Sequence, residues 1–164
     1  MLKSQIDAVM EDPGADAVSI GMLHFAEIVQ TVAEAIDRHA LKNVVLDPVM
    51  VATSGAVLIE YPAIAALVNA LFKRAALATP KLDEAASRVG NNLSTEQDME
   101  KAAYELLNKG ARAVLLKGGH FAGDVISDLL LTQNAEPHWM RTTRIHTGNT
   151  YGTGCTLSST IAAR

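Results

Sequence analysis

The chain reads as an α/β domain built on a mostly parallel sheet flanked by helices, and three observations carry that reading. Short apolar runs alternate with longer amphipathic segments along the sequence. The runs are continuously apolar, the pattern of strands buried on both faces and not of a half-solvated sheet. The stretches between them leave room for a crossover helix, which parallel strands require. The sheet is therefore expected to be covered on both faces.

Ala17-Val18-Ser19-Ile20 is the first expected strand. His24 to His39 follows as a helix, with Ile28, Val32, Ala35 and Ile36 on one face at helical spacing. Asn43-Val44-Val45-Leu46 is the second strand and Tyr61 to Arg74 the next helix. Ala75-Ala76-Leu77-Ala78 is the third strand, followed by a short helix near Leu82 to Val89 and a longer one from Ser94 to Asn108. Ser94, with Gln97 three residues on, predicts the N-terminal cap of that helix, and Gly110 closes its end. Ala113-Val114-Leu115-Leu116 is the fourth strand. After Gly123, Val125 to Leu131 and Trp139 to Ile145 read as a hairpin appended to the sheet. Residues 1–164 are expected to form a single domain, since the length is ordinary for one and suffices to bury a core.

Composition removes several functional classes. Hydrophobic residues make up 49% and charged residues 20%, so the chain is globular and not disordered. A net charge of −4 provides no electrostatic footprint for nucleic acid. The charged start, Met1 to Asp7, is no signal peptide, and no apolar stretch reaches membrane-spanning length. The single cysteine excludes an internal disulfide and fits a reducing compartment, so the expected address is the cytoplasm.

The punctuation between elements points to one place. Gly21-Met22 follows the first strand, Asp47-Pro48-Val49 the second, Thr79-Pro80 the third and Lys117-Gly118-Gly119 the fourth. All lie at carboxyl ends of strands, where open α/β sheets bind ligands. Each has a plain explanation by itself: Asp47-Pro48 ends a strand, Lys117 snorkels at a rim, Glu84 suits the first turn of its helix, and Cys155 fills a small buried space. Their gathering at one rim favours a site.

The C-terminal stretch supplies an anion hole. Thr147 to Cys155 is a Gly/Thr-rich turn running into an apolar segment of helical character. Gly152 and Gly154 permit positive φ and close approach. The N–H groups of Gly154, Cys155 and Thr156 are expected to stand unpaired at a helix start, where the dipole favours negative charge. An ordinary glycine turn before a core helix remains the competing account. The turn lacks the Gly-Lys-Ser/Thr ending of a Walker loop, and Leu157 stands where a dinucleotide fingerprint needs its third glycine. The five histidines show no metal-ligand spacing. A Cys-His hydrolase using His120 or His146 with Cys155 lacks an orienting third group.

Asp47-Pro48-Val49-Met50-Val51-Ala52, Leu116-Lys117-Gly118-Gly119-His120 and Asn149-Thr150-Tyr151-Gly152-Thr153-Gly154-Cys155-Thr156-Leu157-Ser158 resemble, in order and spacing, the hydroxymethylpyrimidine/phosphomethylpyrimidine kinases of thiamine biosynthesis, in the ribokinase-like superfamily. Ser19 to Leu23 and Thr79 to Ala85 match further family blocks. Cys155 is the most specific position, because most of the superfamily has Asp there. The resemblance implies transfer of the ATP γ-phosphoryl to 4-amino-5-hydroxymethyl-2-methylpyrimidine and then to its monophosphate. It implies Cys155 as general base, with Gly152, Thr153 and Gly154 around the transferred group. Lys117, Gly119, Thr150, Thr79 and Glu84 are assigned to nucleotide and phosphates, and Gly21, Met22 and Val49 to the pyrimidine. Asp47 and Glu84 are placed near Mg²⁺, through water. ATP and Mg²⁺ are the implied cofactors, and a homo-oligomer, a dimer, the implied assembly of the intact protein. A pyridoxal kinase of the same superfamily and a non-catalytic nucleotide- or partner-binding fragment are the alternatives.

The chain departs from the family pattern at Lys81, where Asn is usual, at Tyr151, where His is usual, and at Gly148, where a basic residue is common. The family pattern also has a Gly-rich first strand and later helices with no counterpart here. The resemblance thus implies a ribokinase-like domain shortened at both ends, and weak or absent turnover by it alone.

Overall fold

Each apolar run becomes a strand, and the strands line up in chain order. The computed structural model describes residues 1–50, 58–89, 93–119 and 123–164. Val51, Ala52 and His120, quoted above, lie outside the described residues. A six-stranded sheet has the order β1 (Val18–Ile20), β2 (Val44–Leu46), β3 (Leu77–Ala78), β4 (Ala113–Leu116), β5 (Val125–Thr132), β6 (His138–Thr143). The first four are parallel, and β5 and β6 add antiparallel to β4. The expected α/β class and the appended hairpin are both present.

The helices are α1 (Leu2–Glu11), α2 (Ala26–Arg38), α3 (Tyr61–Ala66), α4 (Leu82–Val89), α5 (Glu96–Asn108) and α6 (Thr153–Ala162). Because β1 to β4 advance in one direction, right-handed crossovers put α2 to α5 on a single face. That face carries the core: Ile20, Leu46, Val114 and Leu116 meet Val29 of α2 and Met99 of α5. Val45 and Leu115 alternate to the opposite face, where α6 packs over β2 and β1, Ser19 is exposed and Leu77 is half-buried. Both faces carry a helix, as expected, but their coverage is uneven.

Three local differences have physical causes. α1 was not anticipated, and it buries none of its residues; Ile6, Val9 and Met10 line a groove beside β1. The stretch expected as one helix from Tyr61 to Arg74 passes from α3 into a π-helical turn, Leu67–Leu71, and a 3₁₀ turn, Phe72–Arg74. The wider turn keeps Leu67, Val68, Leu71 and Phe72 all buried. The cap of α5 lies one residue later than expected. Thr95 Oγ1 accepts from the Asp98 N–H at 3.1 Å, and the Asp98 carboxylate accepts from the Thr95 N–H at 3.0 Å. A carboxylate is the better acceptor near a helix N-terminus, so Asp98 displaces the Gln97 amide from that role. No described helix is long and apolar enough to cross a membrane.

Candidate active site

Ladder bonds fix the height of the rim. Asp47 N–H donates to the Ile20 carbonyl at 2.8 Å, Thr79 N–H to Leu46 at 2.8 Å, and Lys117 N–H to Pro80 at 3.0 Å. The ends of β2, β3 and β4 are thereby level, and their polar side chains meet although far apart in sequence. Asp47 is 1% exposed. Its Oδ1 accepts from Lys117 Nζ at 2.8 Å and from Thr79 Oγ1 at 3.2 Å. Its Oδ2 is buried and has no partner among the described residues. A buried charge is costly unless paired and hydrogen-bonded, so this carboxylate is more than a strand end, and Lys117, bonded to it, is more than a snorkelling cation.

The turn and helix start differ in two respects from the expected anion hole. Gly152 is the N-cap of α6 and takes φ +76°, the left-handed conformation that glycine permits. The helix begins at Thr153, so the Thr156 N–H, expected to be unpaired, donates to the Gly152 carbonyl at 3.0 Å and is not free. The N–H groups of Gly154 and Cys155 belong to the first turn and have no intrahelical partner. Gly154 has no positive φ. Its glycine serves approach instead, since a Cβ there would stand 3.4 Å from Lys117 Nζ and 3.5 Å from Asp47 Oδ2. The helix N-terminus thus comes down directly on the Asp47–Lys117 pair.

A cavity of about 200 Å³ opens at this junction, lined by Asp47, Val49, Lys81, Thr150, the turn from Tyr151 to Gly154, and Cys155. Cys155 is exposed, which removes the reading of it as a buried filler. Thr150 supports the turn: its carbonyl accepts from Thr153 Oγ1 at 2.9 Å.

Glu84 lies behind the rim, 1% exposed in the first turn of α4. Its Oε1 accepts from the Met50 N–H at 3.3 Å and its Oε2 from the Lys81 N–H at 2.8 Å. Burial holds this carboxyl above its ordinary value, and the Lys81 N–H and the charges of Lys117 and Lys81 act in the opposite direction. With both oxygens on backbone amides, Glu84 shapes the segments after β2 and β3.

Other predicted residues stand apart from the cavity. Gly21 lines the groove between α1 and β1, and Met22 is 50% exposed. The Gly119 carbonyl accepts from Arg144 at 2.9 Å, beyond β4. His146 pairs with Asp124 at 3.2 Å and not with Cys155. Lys81 was noted above only as a departure from a pattern, yet it lines the cavity; its position directly after Thr79-Pro80, in the same rim punctuation, was the available signal. The family pattern also implies a divalent ion. The orphaned Asp47 Oδ2 is the oxygen a hard cation would take. No cluster of three His, Cys, Asp or Glu able to hold a metal exists among the described residues. Such an ion would draw its remaining ligands from water and phosphate.

The family model described as phosphomethylpyrimidine kinase matches residues 1–164. The chain is 42% identical over 161 residues to the hydroxymethylpyrimidine/phosphomethylpyrimidine kinase of Streptomyces coelicolor, covering 98% of this chain and 59% of that protein. Among solved structures it is similar to an ADP complex of Bacillus subtilis pyridoxal kinase, with a TM-score of 0.87 and 32% identity over 99% of this chain and 60% of that one. It is also similar to the phosphomethylpyrimidine kinase of Clostridium difficile, with a TM-score of 0.78 and 29% identity over 99% of this chain and 74% of that one. The chain spans about three fifths of the length of the Streptomyces coelicolor and Escherichia coli kinases that it matches.

Proposed function

The chain belongs to the phosphomethylpyrimidine kinase family, and on that premise we propose that it carries the phosphoryl-transfer site of an ATP-dependent kinase acting on 4-amino-5-hydroxymethyl-2-methylpyrimidine and on its monophosphate. The observation that supports this most directly is the convergence of the α6 N-terminus, the Asp47–Lys117 pair and the exposed Cys155 on one cavity. Phosphoryl transfer asks a protein mainly for positioning and charge neutralisation, and this arrangement offers both.

The N–H groups of Gly154 and Cys155 donate to the oxygens of the transferred phosphoryl, where charge develops. Lys117 holds nucleotide phosphates as a cation fixed by Asp47 and nearly removed from solvent. Cys155 Sγ takes the proton of the attacking hydroxyl as that oxygen bonds to phosphorus. Val49 and Leu58 give the cavity an apolar wall against which the pyrimidine ring rests. Mg²⁺, when bound, supplies further neutralisation of phosphate charge, and Asp47 Oδ2 is the atom that would hold it, directly or through water. Glu84 fixes the Met50 and Lys81 backbones around that position. A cytoplasmic address and a dimer of the intact protein complete the reading.

The test is phosphoryl transfer from ATP, with the pyrimidine alcohol, its monophosphate and pyridoxal as separate acceptors. Transfer to the two pyrimidines above any transfer to pyridoxal is expected. Transfer to pyridoxal alone would establish the second reading, which the likeness to the pyridoxal kinase structure supports. ATP binding with no transfer to any acceptor would leave a nucleotide-binding protein.

A further inference from the structure

Two lysines stand at the rim, and only one of them is accounted for. Lys81 and Lys117 form an isolated parallel bridge, so their side chains leave adjacent chain segments side by side. Both approach Gly154: a Cβ there would stand 3.4 Å from Lys117 Nζ and 3.9 Å from Lys81 Cε. The same point lies 3.5 Å from Asp47 Oδ2. Lys117 is paired with Asp47 Oδ1 at 2.8 Å. The Lys81 side chain has no hydrogen bond or ion pair among the described residues; its backbone N–H donates to Glu84 and its carbonyl accepts from the Ala85 N–H.

Two carboxylates, Asp47 and the deeper Glu84, stand against the two ammonium groups, and the free N–H groups of Gly154 and Cys155 add the positive end of a helix dipole on the cavity side. The buried and unpartnered Asp47 Oδ2 is aimed at the same point, which marks the place as built for a ligand and not only as a helix end. An anion with several oxygens would satisfy the unpaired ammonium and the free amides together. A cation accompanying that anion would satisfy Oδ2.

We propose that Lys81 is a second phosphate-binding cation, which with Lys117 holds a polyphosphate chain at this site even without a divalent ion. The inference rests on the kinase reading only for the choice of phosphate as the anion. It carries a thermodynamic consequence. Lys81 and a divalent ion address the same phosphate oxygens, so the contribution of Lys81 is greatest when the metal is absent.

Calorimetric titration of the 164-residue chain with inorganic tripolyphosphate, in EDTA and in excess Mg²⁺, tests this. Lys81→Gln should weaken binding in EDTA by about tenfold, the scale of one charge-assisted contact, and by about threefold or less in Mg²⁺. Lys81→Arg, which keeps the cation, should bind in EDTA within about twofold of the parent, and it guards against a Gln variant that fails to fold. Unchanged affinity of Lys81→Gln in EDTA, equal losses in both media, or no binding by the parent would overturn the inference. Tripolyphosphate binding that depends on Lys81 without phosphorylation of any pyrimidine would remove the kinase reading and leave this inference standing. Pyrimidine turnover with Lys81→Gln unaltered in EDTA would do the reverse.

Discussion

A Cβ on Gly118 would stand 1.9 Å from the Ser127 carbonyl oxygen, whereas one on Gly119 meets nothing within 4 Å. The crowded atom is backbone, held by the β4–β5 pairing, and cannot swing aside. Gly118 N–H also donates to Asp128 at 2.8 Å, which fixes the chain directly after Lys117. Gly118→Ala should therefore destabilise by about 3 kcal/mol or more, while Gly119→Ala should stay within about 0.5 kcal/mol, as read from urea unfolding. Two alanine variants with equal midpoints would contradict the packing argument. Cys155 makes a different prediction, since it is exposed and its removal opens no cavity in the core. Cys155→Ala should cut turnover by about 10²-fold with ATP affinity nearly unchanged, the result for a lost proton acceptor. Turnover like the parent's would reduce Cys155 to a bystander.

At the scale of elements, α5 depends on its capping box. Thr95→Ala removes the acceptor for the Asp98 N–H and should cost about 1 kcal/mol, a fall of about 2–4 °C in thermal midpoint for a chain of this size. Asp98 adds a pH signature. Its hydrogen bonds from the Thr95 hydroxyl and the Ser94 and Thr95 N–H groups hold its carboxyl below the ordinary value of 3.8. A carboxyl lowered on folding contributes stability above its unfolded value and loses it as pH falls through the folded one. The gap in thermal midpoint between the parent and Asp98→Ala should therefore be full at neutral pH and shrink below about pH 4. A gap independent of pH would mean that Asp98 acts by packing alone. Glu84 runs in the opposite sense, because burial raises its carboxyl: its ionisation opposes folding as pH rises from its unfolded value through the folded one.

Over the whole molecule, the core and the rim are consecutive stretches of the same strands. Leu46, in the core, immediately precedes Asp47, and Leu116 immediately precedes Lys117. Phe72 is the largest fully buried side chain among the described residues and belongs to the helical layer rather than the rim. Phe72→Ala should destabilise by about 3–5 kcal/mol while leaving tripolyphosphate affinity of the folded fraction unchanged. Lost affinity at temperatures where the variant is fully folded would show that core packing sets the rim geometry. Ligand binding should in turn stabilise the fold, by about 2.7 kcal/mol at a hundredfold excess over the dissociation constant. A thermal midpoint unmoved by saturating phosphate ligand would argue against a formed site.

Much of this architecture was legible residue by residue. Val44-Val45-Leu46 and Ala113 to Leu116 are strands because consecutive apolar residues are buried on both sides, and His24 to His39 announces its helix by spacing alone. The rim was legible for the same reason, since Asp47, Thr79 and Lys117 each end an apolar run. What lies beyond a few neighbouring residues was not. The bond from Lys117 to Asp47 spans 70 positions, the clash at Gly118 depends on the β4–β5 register, and the unequal faces follow from strand order. The cap at Thr95 was displaced by one residue, because the Asp98 carboxylate is a better acceptor near the helix start than the Gln97 amide. Lys81 carried no periodic or cap signal, and only the bridge to Lys117 brings it to the cavity. Local periodicity determined which segments became strands and helices; long-range pairing decided which charges meet, because register and packing set distances that no neighbouring residues encode.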